Sequence, residues 1–303
     1  MAKNILISGG SGLVGMQLSA LLSKEGFEVR HLTRSKDAKN PYKQFEWDVS
    51  KGYLEEGALE NIFSVIHLAG AGVADSRWTD SRKKVIIESR TKTADLLYDQ
   101  IAAMEAADRP KKFISASAIG YYGMDTGEKL LDENSPAGND FLAEVVVKWE
   151  AAADRFEQLD MPVSKLRIGV VLSEEGGALV QLARPVKFGF GAALGSGDQY
   201  MSWIHIDDIC GMLYAMVAED MPGTYNGVAP HPVTNKEMTK AVAKELNKPL
   251  WLPKVPGFVL KLAMGEMAGI VLGGNKVSAE KIMQSPYDIK YKRIEEALKA
   301  IYN

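Results

Sequence analysis

The chain is short of cysteine, of net charge and of long apolar runs. Cys210 is its single cysteine in 303 residues, which excludes an internal disulfide framework and a cysteine-rich zinc site. The formal net charge is only −3. That leaves no basic excess of the kind a nucleic-acid-binding face needs, so no nucleic-acid partner is expected. The most apolar stretch, Val255–Gly274, is interrupted by Lys261 and Glu266 and falls short of the roughly 18 uninterrupted apolar residues of a membrane span. The opening residues, Met1-Ala2-Lys3-Asn4-Ile5, run straight into a strand-like segment with no apolar signal core or cleavage site. Together these absences predict a soluble, cytoplasmic protein without a membrane partner. With 46% hydrophobic and 25% charged residues, the chain is neither disordered nor a coiled coil.

What is present begins with glycine, and its placement matters more than its total of 28. Asn4–Ser8 reads as a strand and leads into Gly9, Gly12 and Gly15 at G-x-x-G-x-x-G spacing. Apolar residues at Leu18, Leu21 and Leu22 then recur at helical spacing until Gly26. Phe27–Arg34 reads as the next strand. A strand, a glycine turn and a helix in this order suit a pyrophosphate: the turn lets the backbone approach it, and the N–H groups of Leu13, Val14 and Gly15 open the helix toward it. The second strand ends in Thr33-Arg34-Ser35-Lys36, with no carboxylate to accept from the ribose 2′-OH of NAD. Arg34, supported by Ser35, is suited instead to a 2′-phosphate. The expected cofactor is therefore NADP(H); the other reading of Arg34 is a solvated basic turn.

Further strands are predicted at Gln44–Trp47, Ser64–Ala69, Lys112–Ala116 and Val163–Leu172, with helices over Asp80–Met104 and Ala143–Leu159. This alternation predicts an α/β chain: a Rossmann-type, doubly wound parallel sheet with a smaller C-terminal substrate-binding part. Residues 1–172 and 198–229 are expected to form the NADP-binding domain, and 173–197 and 230–303 the substrate, lid and C-terminal part. Ligands of such sheets collect at strand carboxyl ends. Those ends carry Asp48, either an acceptor for adenine or a turn residue, then Leu68-Ala69-Gly70, and Arg167, which is counted with the cofactor-lining residues.

Several segments jointly resemble one family: Gly9–Gly15, His67–Gly70, Ser117-Ala118-Ile119-Gly120-Tyr121-Tyr122-Gly123, Asp140-Phe141-Leu142 with Trp149-Glu150, Arg167–Leu172, Ser202–Asp208 and Tyr225–Pro230. The chain is similar to the atypical extended short-chain dehydrogenase/reductases, in the YfcH-like branch of predicted nucleoside-diphosphate-sugar epimerases. The tail from about Pro253 resembles that branch's small C-terminal domain. The resemblance implies hydride transfer with NADP(H) on a carbonyl or secondary alcohol, a nucleotide sugar being one such substrate. Ser117 would orient the reacting oxygen, and Tyr121, Gln199 and Trp203 would contact substrate.

The chain departs from the superfamily at its centre. The Tyr-x-x-x-Lys pair that moves the proton should fall at Phe141-Leu142 and at Val145 or Val146, and neither a phenol nor an ammonium is there. Tyr122, directly before Gly123, is the preferred replacement donor, with water as the other. Arg77, Arg82 and Arg90 either help line a pocket for an anionic substrate or form a solvated helix face. Asp207 or Asp208 is expected to cap a helix beginning near Ile209, and no metal is expected at His205-Ile206-Asp207-Asp208. Gly176–Gly197 is expected to be a mobile lid. Two functions remain open: an NADP(H)-dependent oxidoreductase or epimerase-like enzyme, and a non-catalytic NADP(H)-binding sensor. Self-association into a homo-oligomer is also left open.

Overall fold

Ile5, Leu6 and Ile7 are each 0% exposed, because their strand is covered on both faces. Successive side chains on a strand point to opposite sides, and here they enter different cores: Ile5 and Ile7 join one apolar cluster, and Leu6 joins the other. In the computed structural model, which describes residues 3–303, this strand lies inside an eight-stranded sheet. Its strands are β1 (Asn4–Ser8), β2 (Glu28–Thr33), β3 (Lys43–Asp48), β4 (Tyr53–Leu54), β5 (Ile62–His67), β6 (Lys112–Ala118), β7 (Val163–Ile168) and β8 (Gly223–Gly227). Their spatial order is β8-β7-β6-β5-β1-β2-β3-β4. All neighbours are parallel except β4, which returns antiparallel beside β3. The register aligns Ile7 with Ile66 and Ile66 with Ile114. The order reverses between β1 and β5, which sets a crevice beyond Ser8 and His67, where open α/β sheets bind their ligands.

The helices are α1 (Leu13–Lys24), α2 (Asp80–Ala102), α3 (Phe141–Asp154), α4 (Gly177–Lys187), α5 (Ile206–Ala218), α6 (Asn235–Glu245), α7 (Gly257–Met264) and α8 (Ile294–Tyr302). Leu18 and Leu22 of α1 and Leu213 and Met216 of α5 enter the core with Ile5 and Ile7. Leu96 and Leu97 of α2 and Ala153 of α3 enter the core with Leu6. This is the doubly wound architecture expected from the alternation of elements.

Four local expectations change. The strand read as Val163–Leu172 breaks at Gly169, where a Cβ would stand 2.4 Å from the Ser202 carbonyl oxygen. Val170–Leu172 therefore leaves the main sheet and pairs with Trp203–His205. The helix read as Ala143–Leu159 starts earlier, where the Asp140 side chain accepts from Ala143 N, and tightens to a 3-10 turn after Asp154. The stretch 176–197, read as a glycine-rich mobile lid, carries a helix not foreseen there, α4, whose Leu179, Ala183 and Val186 are buried. Finally, α5 starts at Ile206, and His205 caps it by accepting from Asp207 N through Nδ1 at 3.0 Å. Asp208 is fully buried and serves the tail, accepting from Tyr287 Oη at 2.7 Å and from the Lys290 and Tyr291 backbone.

Among the described residues, no helix is long and apolar enough to cross a membrane.

Candidate functional site

The Gly9–Gly15 turn has little room for side chains. Gly9 has φ +74°, and a Cβ there would lie 2.8 Å from the Leu68 carbonyl carbon. A Cβ on Gly15 would lie 2.4 Å from Gly9 O, and one on Gly10 would enter the His31 ring. The turn is thus pressed against β5 on one side and His31 on the other. His31 was missed at the level of sequence; nothing in its spacing marks it. It is buried and held by Ser19 Oγ at 2.7 Å and Asn40 Nδ2 at 3.1 Å, and burial pushes its pKa down to about 4.

The mouth of the turn is open by contrast. Gly12 is exposed and caps α1 without a side chain, and no acidic residue occupies the first turn. The N–H groups of that turn, at Leu13, Val14 and Gly15, have no i−4 carbonyl to bond, and the positive end of the helix faces outward. A backbone with no Cβ in the way and a bare helix N-terminus fit a dinucleotide diphosphate. Leu13 also approaches Gly176, where an added Cβ would lie 3.6 Å from Leu13 Cδ2.

Arg34 and Ser35 are exposed just beyond β2, and the Thr33 hydroxyl donates to Ser35 O at 2.6 Å. Asp48 caps the turn after β3: its carboxylate accepts from Ser50 N and Ser50 Oγ and pairs with Lys51 at 2.9 Å. Those bonds hold its pKa down to about 2, the Ser50 side chain contributing most. Beyond β5, Leu68 and Ala69 are half-buried and Gly70 is exposed. The following backbone is fixed from α2, where Ser89 Oγ accepts from Ala71 N at 2.9 Å and Arg90 Nη1 donates to Ala71 O at 3.0 Å. His67 is fully buried between Ser8 Oγ and the Arg90 carbonyl. Burial lowers its pKa to about 4, so it is a neutral packing residue.

The residues expected to do chemistry are engaged elsewhere. Ser117 is buried and donates to Glu150 Oε1 at 2.6 Å. Arg167 lies opposite Ser117 in the register and grips the same carboxylate with Nε at 2.8 Å and Nη2 at 2.9 Å. Burial alone would lower the Arg167 pKa, but Glu150 outweighs it and the net shift is upward. Tyr122 is also buried; its hydroxyl donates to Asn226 Oδ1 at 2.8 Å and accepts from Arg167 Nη1 at 3.1 Å. Burial raises its pKa. Asn226 N donates in turn to Glu133 Oε1 at 2.7 Å. Ser117, Glu150, Arg167, Tyr122 and Asn226 thus form one buried polar network joining β6, α3, β7 and β8. The Arg167 guanidinium, counted on sequence with the cofactor-lining residues, faces Glu150, and the Ser117 and Tyr122 hydroxyls, expected to serve the chemistry, bond within this network. The alternation along β6 was the available signal, since it puts Ser117 on the Phe113 side of the sheet, toward α3.

Trp203, expected as a substrate contact, is 0% exposed and donates from Nε1 to His231 O at 3.0 Å, which places it in the core. Gln199 ties two backbone segments together, donating from Nε2 to Leu194 O and Val271 O. Tyr121 is half-buried, with its ring 3.4 Å from the Arg167 guanidinium carbon.

Residues 5–226 match the model of the NAD dependent epimerase/dehydratase family. The chain belongs to this family. Residues 255–301 match a domain of unknown function, DUF1731. An Arabidopsis thaliana relative, epimerase family protein SDR39U1 homolog, chloroplastic, is 38% identical over 98% of this chain and 86% of its own length. An epimerase family protein of Staphylococcus aureus is 35% identical over 98% of both chains. The crystal structure of human epimerase family protein SDR39U1 (isoform 2) with NADPH superposes with a TM-score of 0.87, at 30% identity and 99% coverage of both chains.

As an epimerase/dehydratase family member the chain is atypical at one place, now visible in space. Leu142 and Val146, one helical turn apart on α3, face Gly120: a Cβ on that glycine would lie 3.5 Å from Leu142 Cβ and 3.7 Å from Val146 Cγ2. Two apolar side chains stand beside the segment that follows Ser117, where the resemblance called for a phenol and an ammonium.

Proposed function

We propose that this epimerase/dehydratase family member binds NADP(H) and catalyses reversible hydride transfer on a carbonyl or secondary alcohol of a small substrate, a nucleotide sugar being the leading class. The observation that carries the reading is the Gly9–Gly15 turn with the uncapped α1 N-terminus beyond it. The first-turn N–H groups hold the diphosphate, Arg34 with Ser35 reads the 2′-phosphate, and the backbone of Leu68, Ala69 and Gly70 lies against the cofactor. The NADPH-bound structure of the 30% identical human relative supports the choice of NADP(H) over NAD.

When bound, the nicotinamide supplies or accepts the hydride. The chain's part is to bind, to orient and to keep the strand-end backbone fixed through Ser89 and Arg90. The proton on the substrate oxygen comes from water in the cleft, because the Ser117 and Tyr122 hydroxyls are occupied in the buried network and Leu142 and Val146 offer none.

The same two apolar residues favour a second reading, in which the chain binds NADP(H) as a sensor without turnover. Incubation with NADPH and a panel of carbonyls and nucleotide sugars separates the two, followed by loss of nicotinamide absorbance and by analysis for sugar isomers. Turnover of any member supports the enzyme. Tight NADPH binding with no turnover supports the sensor, and failure to bind NADPH removes both.

A further inference from the structure

Neither the cofactor turn nor the buried polar network uses the apolar side chains that stand in solvent beside α4 and on α7. Phe188, Phe190, Trp251, Phe258 and Leu262 are between 61% and 80% exposed. Large apolar side chains scattered singly over a surface are ordinary, but a group of them marks a contact. These five belong to two segments that adjoin. Leu194 bridges to Val255, Val255 N donates to Ala193 O at 2.9 Å, and Gly195 N donates to Val255 O at 2.9 Å. A Cβ on Gly191 would lie 2.7 Å from both Leu250 Cδ2 and Val186 Cγ2.

Apart from Gly257 and Lys261 the residues of α7 are all apolar, yet none of them is buried. A helix this short does not hold itself in water, so its ends are tied. The Val255 backbone is fixed before it, and after it Arg77 Nη2 donates to Ala263 O at 2.6 Å and to Leu262 O at 3.2 Å. Phe258 and Leu262, one helical turn apart, are thereby held on a fixed backbone while their side chains stay in solvent. The charge around them has one sign. Residues 184–197 and 246–265 carry Arg184, Lys187, Lys248, Lys254 and Lys261, all exposed, and no aspartate or glutamate, in a chain of net charge −3. Among the described residues none of the five is in an ion pair. Lys254 Nζ donates to Ser196 O, and Lys187 Nζ lies over the Tyr302 ring.

We propose that these two segments dock the protein on an anionic lipid surface. The exposed Phe, Trp and Leu side chains enter the boundary between headgroups and acyl chains, and Arg184 and the four lysines meet the lipid phosphates. Aromatic and leucine side chains set among cations are what an interfacial contact uses, and lysine stems lie along such a boundary with the ammonium in water. No spanning helix is needed, and a small net charge over the whole chain does not bear on a local patch. A second copy of this chain is the poorer occupant, because a two-fold contact would set like charges against each other. The proposal goes beyond the NADP(H) reading and does not depend on it.

The test is co-sedimentation of the full chain with vesicles of phosphatidylcholine alone and of phosphatidylcholine mixed with phosphatidylglycerol, at low and at high salt. The expected result is partition at least about tenfold stronger onto the anionic vesicles, weakened by salt. Binding should also shift the protein fluorescence to the blue, and Trp251→Phe should remove much of that shift. Lys248→Glu with Lys261→Glu should abolish the preference for phosphatidylglycerol, since each cation near such a surface is worth about fivefold. Phe258→Ser with Leu262→Ser should weaken binding to the anionic vesicles at least about tenfold. None of these four residues is buried, so the melting temperature should hold and a loss of binding is not a loss of fold. The proposal is overturned if neither vesicle binds the protein, if both bind it alike, or if both double variants bind as the wild type does. It is equally overturned if the wild type is a dimer that Phe258→Ser with Leu262→Ser turns into a monomer, since the patch would then belong to a second copy.

Discussion

The crevice between β1 and β5 and the polar cluster between β6 and β7 lie at the carboxyl ends of the same sheet but are built in opposite ways. At β1 the groups are backbone, and they are free: an uncapped helix, exposed Gly12, and glycines packed too closely for side chains. Between β6 and β7 the groups are side chains, and they are consumed: Ser117, Glu150, Arg167, Tyr122 and Asn226 bond one another. Free donors facing solvent make a binding site. Satisfied donors buried in a core hold strands in place. Residue type alone does not separate the two; the difference lies in whether a polar group has a partner.

The sharpest way to break this contrast is to remove the carboxylate at the centre of the closed cluster. Glu150→Leu leaves Arg167 buried and uncompensated and should cost about 3–5 kcal/mol, read as a lower midpoint in urea unfolding. A fall of under 1 kcal/mol would show that the cluster is not structural. Acid should act next. His31 and His67 are neutral in the fold with pKa values near 4, against 6.5 for a free ring, so the unfolded chain binds more protons between these values. Stability is therefore full above pH 6.5 and falls as the pH drops toward 4, by about 3 kcal/mol for each ring. Urea midpoints across this window check it, and His67→Asn should flatten the slope.

The open side is tested by Gly12→Val. A Cβ at Gly12 meets only Gly9 O, at 3.3 Å, and the backbone is extended at φ −78°. The fold should tolerate it, while the valine blocks the approach of a diphosphate. We expect NADPH affinity to fall about 100-fold, roughly 2.7 kcal/mol, with little change in the melting temperature. Equal damage to both would erase the distinction between binding and scaffolding glycines. The smallest effect should be that of Tyr122→Phe, about 1 kcal/mol of stability from the hydroxyl's lost bonds, with NADPH affinity unchanged. A variant that folds normally but loses all turnover would return Tyr122 to the chemistry.

The sheet and the cofactor turn were legible because they rest on local pattern: apolar runs at β1 and β5, and glycines at fixed spacing before a helix. The break at Gly169 was not, because the carbonyl that excludes a side chain there belongs to Ser202, 33 residues away. The buried placement of Ser117, Tyr122, Arg167 and Trp203 was not legible for a similar reason. Each has the chemistry of a site residue, and only the partners brought by α3, β8 and the His231 backbone show that it is occupied.

Equilibrium titration of the wild-type protein with NADPH and with NADH, followed by protein fluorescence, tests the central claim most directly. An open backbone site read by Arg34 and Ser35 predicts saturable binding of both, with NADPH at least tenfold tighter. Equal affinities would contradict the role of Arg34, and no binding of either would contradict the account of the Gly9–Gly15 turn.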